Sequence, residues 1–380
     1  MNKASHIVIA GAGGIAQAAG LMLAQWSEEK IFLYLGNRTL SKAVSVAKWI
    51  EEGSTREVNI RPFTLLNEPD AEMKEILTKA QVLLDCLPGS LAPKMAQIAR
   101  DHELHYVNLT EYVQETEQIK EIAKGASTGF ILQTGLAPGY INVLAHHLFN
   151  SFCKEYKVEK ADRLEMKVGA LTEHAIAPYF YGFTWSPVGV ATEYIKDAIV
   201  VRDHNVVSRP SLSERKKILI HGFAYEEDLT SGGAADLPEA LKDKIANLDY
   251  KTLRFPGHYQ WVEEQLKTFD SKDQISALQA KMEDTIPHLE EDRVVVFAAV
   301  QGKDANGLLR RKEIAQIMKP MKVGNHMLRA IQTTTAAPMV ELALWLLKTN
   351  KRGLMLQSEI ETARFLNGRI ICHVYAGVKI

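Results

Sequence analysis

The chain has 380 residues, 46% of them hydrophobic and 24% charged, so it holds enough apolar material for two or three packed domains. Its formal net charge of −1 favours neither nucleic acid nor an anionic membrane surface as a partner. No apolar run approaches the ~20 residues a membrane-spanning helix needs. The three cysteines, Cys86, Cys153 and Cys372, lack metal-type spacing, and the first strand starts by Ile7, which together point to a cytoplasmic protein with reduced thiols and no signal peptide.

The stretch Ile7-Val8-Ile9-Ala10 reads as a buried strand and runs directly into Gly11-Ala12-Gly13-Gly14-Ile15-Ala16, the start of an apolar helix that continues to Trp26. This is the dinucleotide fingerprint in its G-x-G-x-x-A form, with Gly11, Gly13 and Ala16 at the three defining positions. Gly11 lets the chain turn sharply off the strand, Gly13 leaves the backbone open to a diphosphate, and Ala16 lets the helix lie close on the sheet. The free N–H groups at the helix start, from Gly14 and Ile15 onward, and the helix dipole then hold the anion. The bland alternative is a tight strand–helix turn with no ligand.

A second strand, Ile31–Leu35, ends at Gly36-Asn37-Arg38-Thr39. NAD-binding chains carry a carboxylate here for the ribose 2′-hydroxyl; a guanidinium instead suits a 2′-phosphate, and Asn37 and Thr39 add donors. The residues therefore favour NADP, with NAD as the alternative; Arg38 as a solvated helix-start residue is the simpler reading. Further strands are expected at Val58–Pro62, Val82–Cys86, Tyr106–Asn108 and Phe130–Gln133, alternating with helices at Leu40–Glu52, Ala71–Lys79, Leu91–His102 and Glu115–Gly125. Leu87-Pro88-Gly89 follows the fourth strand, where a backbone loop passes the nucleotide, and a plain strand–helix turn is the competing view. This alternation predicts a Rossmann-type doubly wound parallel sheet, α/β in class, over residues 1–135.

At Gly135-Leu136-Ala137-Pro138-Gly139 the rhythm changes. A helix at Tyr140–Phe152 is followed by strand-like runs at Arg163–Gly169, Ile199–Arg202, Lys217–Ile220, Thr252–Phe255 and Val294–Val300. These predict a second, α+β domain with a mixed or antiparallel sheet over 136–335, serving substrate binding and catalysis. Amphipathic helices at Ala337–Leu347 and Gln357–Leu366 belong to a segment, 336–380, expected to return to the first domain and close the two lobes over a cleft.

Four motifs carry a likeness to known proteins: the N-terminal fingerprint, the G-x-A-P-G segment Gly135–Gly139, the W-S-P segment Trp185–Pro187 with Glu193-Tyr194, and the R-x-P-G-H segment Arg254–His258. On these, the chain resembles the saccharopine dehydrogenase superfamily over nearly its whole length, and within it most the lysine 6-dehydrogenase type. Ala137 stands where the saccharopine-reductase and carboxynorspermidine branches usually carry an acidic residue, a departure that favours the lysine-dehydrogenase branch. The resemblance implies an NAD(P)-dependent oxidoreductase acting on the CH–NH or CH–NH2 group of a lysine-like amino acid. It also implies a homodimer and cofactor contacts from Ala137, Pro138 and Gly139. A saccharopine- or carboxynorspermidine-forming reductase is the alternative within enzymes, and a non-catalytic nucleotide sensor is the alternative outside them.

Such chemistry needs a base near neutral pH, a fork for the substrate carboxylate and an anion for its ammonium. His258 suits the base, Arg254 the fork and Glu193 the anion. Each has a plainer reading: a hydrogen-bonded structural histidine, an internal salt bridge and a helix surface charge. Tyr179, Tyr181 and Trp185 are expected in the core rather than on a pocket wall, and His146-His147 reads as structural, so no metal is expected.

Overall fold

The structure is a computed structural model and describes residues 4–270 and 273–375. It resolves into two compact units. One comprises the chain up to Tyr140, Met321–Leu328 and the stretch from Gln332 onward; the other comprises Ile141–Pro320 with Arg329–Ile331.

The first unit opens with β1 (Ser5–Ala10), α1 (Gly14–Trp26), β2 (Ile31–Asn37), α2 (Leu40–Gly53), β3 (Asn59–Thr64), α3 (Ala71–Lys79) and β4 (Val82–Asp85). It continues with α4 (Ala92–Asp101), β5 (His105–Asn108), α5 (Val113–Ala123) and β6 (Gly129–Ile131). All pairs are parallel, in the order β6-β5-β4-β1-β2-β3, which is the doubly wound Rossmann arrangement. Ile7, Val8 and Ile9 are fully buried, because helices cover both faces of such a sheet; that is why β1 shows no polar alternation. The order reverses at β1, so the ligand-binding edge lies at the carboxyl ends of β1, β2 and β4. A 3-10 turn, Gly89–Leu91, precedes α4, so that helix starts at Ala92 and not Leu91.

The second unit holds α6 (Tyr140–Tyr156) past its first residue, β7 (Ala161–Thr172), α7 (Pro187–Ile195), β8 (Ala198–Arg202), β9 (Asn205–Arg209), β10 (Lys216–Ile220) and β11 (Phe223–Leu229). Then come α8 (Leu237–Leu241), β12 (Ile245–Arg254), α9 (His258–Leu266), α10 (Gln274–Thr285), β13 (Asp292–Lys303) and β14 (Leu309–Met318). They form a mixed sheet of order β10-β11-β12-β7-β13-β14, with β8 and β9 attached at β12; β12 and β7 run parallel, and the other pairs are antiparallel. The strand expected at Thr252–Phe255 in fact begins at Ile245. Buried charges disguised it: Asp249 is met by Arg202 at 3.0 Å and Arg163 at 3.3 Å, and Lys251 by Glu227 at 3.6 Å. Charges paired inside a sheet do not interrupt it, although they erase the apolar pattern.

The hairpin β15 (Met321–Val323) and β16 (His326–Leu328) leads to α11 (Ala330–Leu347), β17 (Gly353–Met355), α12 (Thr362–Leu366) and α13 (Arg369–Tyr375). β17 pairs parallel with β6 and adds a seventh strand to the first sheet. The single helix expected at Gln357–Leu366 is two pieces, a 3-10 turn at Gln357–Glu359 and then α12. The Glu359 carboxylate accepts the Leu356 N–H (2.8 Å), and the Gln357 amide donates to the Leu132 carbonyl (2.7 Å), which fixes the break. α11 starts earlier than expected and carries Pro338 inside it. Proline has no N–H, so the Thr334 carbonyl one turn back loses its helical donor; the Tyr375 hydroxyl donates to it instead, at 2.6 Å. Residues 376–380 of the expected 336–380 segment lie outside the described residues.

Candidate active site

In the first unit, the loop between β1 and α1 has the form that a diphosphate requires. Gly11 takes φ +120°, a conformation L side chains rarely adopt, and a Cβ there would meet the Cys86 carbonyl at 3.0 Å. Gly13 is exposed, and a Cβ built on it would find nothing within 4 Å. It is also the N-cap of α1, with no side chain capping the helix and no acid in the first turn. The N–H groups of Gly14, Ile15 and Ala16 therefore start the helix without a side-chain acceptor, which is the donor set that an anion completes. Ala16 is fully buried, as close helix–sheet packing demands.

At the end of β2, the Asn37 side chain accepts the Thr39 N–H at 2.9 Å and shapes the turn into α2. Arg38 and Thr39 are exposed, and Arg38 makes no ion pair or hydrogen bond among the described residues. Lys42, in the first turn of α2, is likewise exposed and unpaired, so two uncommitted cations flank this helix start. The sequence reading passed over Lys42; its spacing from Thr39 on a helix was the available signal.

The turn Leu87-Pro88-Gly89 is shaped by Asp85, which accepts the Leu87 N–H at 3.0 Å and the Tyr106 hydroxyl at 2.7 Å. Burial raises the Asp85 pKa to about 6, against the opposing pull of those two donors. A side chain at Gly89 would run into the Thr110 hydroxyl and the Tyr112 ring, so the close approach this glycine permits is to the loop after β5. Beyond β6, the Thr134 N–H and hydroxyl both donate to the Asn108 carbonyl (2.9 and 2.7 Å). Gly135 N–H then donates to the Pro138 carbonyl and Tyr140 N–H to the Gly135 carbonyl, folding Leu136, Ala137, Pro138 and Gly139 into a tight loop at the same edge. Gly139 has φ +136° and no room for a Cβ against Gly135.

In the second unit, the three residues expected to do chemistry come together, and they bind one another. Arg254 ends β12 and is 1% exposed; its Nη2 donates to Glu193 Oε1 at 2.6 Å, its Nε to the Tyr194 hydroxyl at 2.5 Å and its Nη1 to the Leu253 carbonyl at 3.0 Å. The guanidinium also lies 5.0 Å from the ring centroid of Tyr181. Burial disfavours its charge, but Tyr194 and Glu193 outweigh burial and hold it protonated. His258 opens α9 with no exposed surface; Nδ1 is 2.8 Å from the Tyr179 carbonyl and Nε2 is 3.0 Å from the Tyr194 hydroxyl.

One set of protons satisfies this whole chain. Arg254 Nε–H donates to Tyr194, Tyr194 O–H donates to His258 Nε2, and His258 Nδ1–H donates to the Tyr179 carbonyl. Burial, then the Arg254 charge, lowers the His258 pKa to about 3, so the ring is a neutral imidazole with both nitrogens engaged. In this arrangement both ring nitrogens of His258 and the charges of Arg254 and Glu193 are engaged, by one another and by Tyr194 and the Tyr179 carbonyl. Tyr194, which joins Arg254 to His258, was visible only as the neighbour of Glu193. Tyr181 is fully buried in the aromatic core, with Tyr179 and Trp185 packed against it.

A Rossmann sheet with an open, uncapped first helix, followed by a separate mixed-sheet unit, defines a nucleotide-dependent two-domain protein. Residues 7–131 match the saccharopine dehydrogenase NADP binding domain, and residues 135–368 match the saccharopine dehydrogenase C-terminal domain. The chain belongs to the saccharopine dehydrogenase family of oxidoreductases, and its cofactor is NADP. Over 156 residues, 40% of this chain, it is 23% identical to the mitochondrial alpha-aminoadipic semialdehyde synthase of Mus musculus, a match that spans only 17% of that protein. The fold is similar to apo saccharopine dehydrogenase (L-Glu forming) from Saccharomyces cerevisiae, with a TM-score of 0.74, 16% identity and 96% of both chains covered. It is also similar to the homospermidine synthase of Legionella pneumophila in complex with NAD, with a TM-score of 0.64, 12% identity, and 98% and 90% of the two chains covered. Among the described residues, no helix is long and apolar enough to cross a membrane.

Proposed function

We propose that the protein uses NADP to oxidise the CH–NH or CH–NH2 group of a lysine-like amino acid, or to reduce the corresponding imine. The observation that carries this reading is that one family accounts for both halves of the chain, while the first unit keeps the uncapped helix start and open Gly13 that a dinucleotide needs. NADP, when bound, exchanges hydride at its nicotinamide.

The chain's own residues divide the remaining work. Gly11, Gly13 and the N–H groups of Gly14, Ile15 and Ala16 hold the diphosphate. Arg38 takes the 2′-phosphate, with Asn37, Thr39 and Lys42 beside it. The loops Leu87-Pro88-Gly89 and Ala137-Pro138-Gly139 line the redox end. Arg254, Glu193, Tyr194 and His258 act as a positioning cluster: their mutual bonds fix the ends of α7 and α9 and the Tyr179 loop, so that this region presents a single shape to substrate.

The test is a panel of amino acids, amines and aldehydes screened against NADP and NAD at 340 nm. Turnover of an amino acid alone with the oxidised nucleotide supports the dehydrogenase. A requirement for both an aldehyde and an amine with the reduced nucleotide identifies a condensing, saccharopine-type reductase. Nucleotide binding without turnover of any pair would overturn an enzymatic role in favour of a nucleotide sensor.

A further inference from the structure

The first unit carries a cavity that the nucleotide loops do not line. Its volume is about 200 Å³, and its walls come from the end of α1 and from α11 to α13, with Trp26, Glu29, Glu341, Trp345, Lys348 and Arg364 among them. A smaller hollow of about 30 Å³ shares Glu341, Trp345 and Arg364 and is otherwise largely apolar, with Met355, Ile360 and Phe365. Pockets for drug-sized ligands run to about 300–1,000 Å³; this one has room for a molecule the size of an amino acid.

Most of the charges around the cavity are committed. Arg369 pairs with Glu28 at 2.6 Å, and Lys348 with Glu29 at 3.6 Å. Two charges make no direct ion pair among the described residues, although each feels the other's field. Arg364 lies over the Trp345 ring, 5.4 Å from its centroid, and makes no hydrogen bond or ion pair among the described residues. Glu341 is half-buried on α11; its Oε2 accepts the Ile370 N–H at 2.9 Å, and no basic side chain lies within ion-pair distance among the described residues. Gly368 packs directly on that carboxylate, where any side chain would collide with it, so its position is set by backbone. Burial pushes the Glu341 pKa up, against the opposing pull of the Ile370 N–H, of the Lys348 and Arg364 charges and of the Ile371 N–H.

A cation and an anion that line one cavity without pairing are complementary to a ligand carrying both charges. We propose that this cavity binds a free α-amino acid with a small apolar side chain. Its carboxylate meets the Arg364 fork, its ammonium meets Glu341, and its side chain turns into the hollow beside Met355 and Phe365. The site stands independently of the reaction proposed above.

The experiment is calorimetric titration of the NADP-saturated full chain with L-valine, L-leucine and L-methionine, with isobutylamine and isovalerate as single-charge controls. The expected result is one saturable site for the amino acids, with little heat from the controls. Arg364→Ala and Glu341→Gln should each weaken binding about tenfold or more, the usual effect of losing a charged partner, and leave NADP affinity unchanged. Glu341→Gln keeps one acceptor oxygen for the Ile370 and Ile371 N–H groups while removing the charge, and an unchanged NADP affinity shows that the variant is folded. Three results would overturn the assignment: no saturable binding, controls that bind as well as the amino acids, or affinity untouched by Arg364→Ala.

Discussion

On the proposed reading, Arg38 takes the 2′-phosphate. It is exposed, unpaired and placed at the turn into α2, so nothing internal competes for its guanidinium. Arg38→Ala should weaken NADP binding about tenfold to a hundredfold, the range for a charge-assisted contact, while NAD binding changes little. Direct titration with both reduced nucleotides checks this, and an equal loss for the two would remove the phosphate role. Lys42→Ala should act in the same sense but less, as a point charge without a fork. Arg38, like Gly11 and Gly13, stood out in the sequence because the demand at such positions is local, a turn, an open backbone or a helix start, whereas Lys42 did not. Arg254, Glu193 and His258 were legible as unusual residues but not as neighbours. Their contacts are with partners far off along the chain, and no spacing rule announces that Arg254 would bond Glu193 and Tyr194. Cutting the link that joins them is informative. Tyr194→Phe leaves Arg254 Nε and His258 Nε2 buried without partners and should cost about 1–3 kcal/mol of stability for each orphaned group. Denaturant unfolding of the variant measures this; a loss below about 0.5 kcal/mol would show that the chain of bonds is not a structural element.

Elements were hardest to read where a side chain repairs what the local sequence breaks. Pro338 lies inside α11, one residue after the expected start at Ala337, although a helix interior rejects proline. The cost is offset from the last described helix, whose Tyr375 hydroxyl supplies the donor that residue 338 lacks, while the Tyr375 ring stacks on Tyr140 at 3.5 Å. No helical pattern contains that information. It predicts a coupling. Tyr375→Phe alone should destabilise the protein by about 1–3 kcal/mol, since it removes the hydroxyl that donates to the Thr334 carbonyl. After Pro338→Ala, which restores a helical N–H to that carbonyl, the same change should cost distinctly less. A double-mutant cycle by denaturant unfolding reads the difference; strict additivity would refute the repair. The same lesson holds for β12 and β7, where Asp249, Lys251, Glu165 and Lys167 interrupt the apolar alternation and yet lie in the sheet, each with an opposite charge beside it. The doubly wound half was legible almost element by element because its strands are simply apolar. β17 was not, since three residues carry no periodicity.

For the whole molecule, two buried titrating groups act in opposite directions, and they lie in different units. Asp85, in the first unit, has its pKa raised by burial to about 6 from an ordinary 3.8. Between those values the native state keeps a proton that the unfolded chain has released, so stability falls as pH rises from about 4 to about 6 and is level above. At 1.36 kcal/mol per pH unit that gap amounts to about 3 kcal/mol at neutral pH. His258, in the second unit, has its pKa lowered by burial, and then by Arg254, to about 3 from 6.5. Here the unfolded chain takes up a proton that the native state refuses, so stability is lost as pH falls from about 6.5 towards 3. The two slopes oppose each other over about pH 4–6, and variants separate them. Asp85→Asn can accept the Leu87 N–H and donate to the Tyr106 hydroxyl, which still donates to the Ala92 carbonyl at 3.1 Å. It should raise the thermal midpoint at pH 8 and give no gain at pH 4. His258→Gln keeps a donor and an acceptor in the same space and should flatten the acid side of the profile without changing the response of Asp85. Calorimetric scans of both variants from pH 4 to pH 8 decide the matter. If Asp85→Asn gains as much at pH 4 as at pH 8, the buried carboxyl is not what titrates.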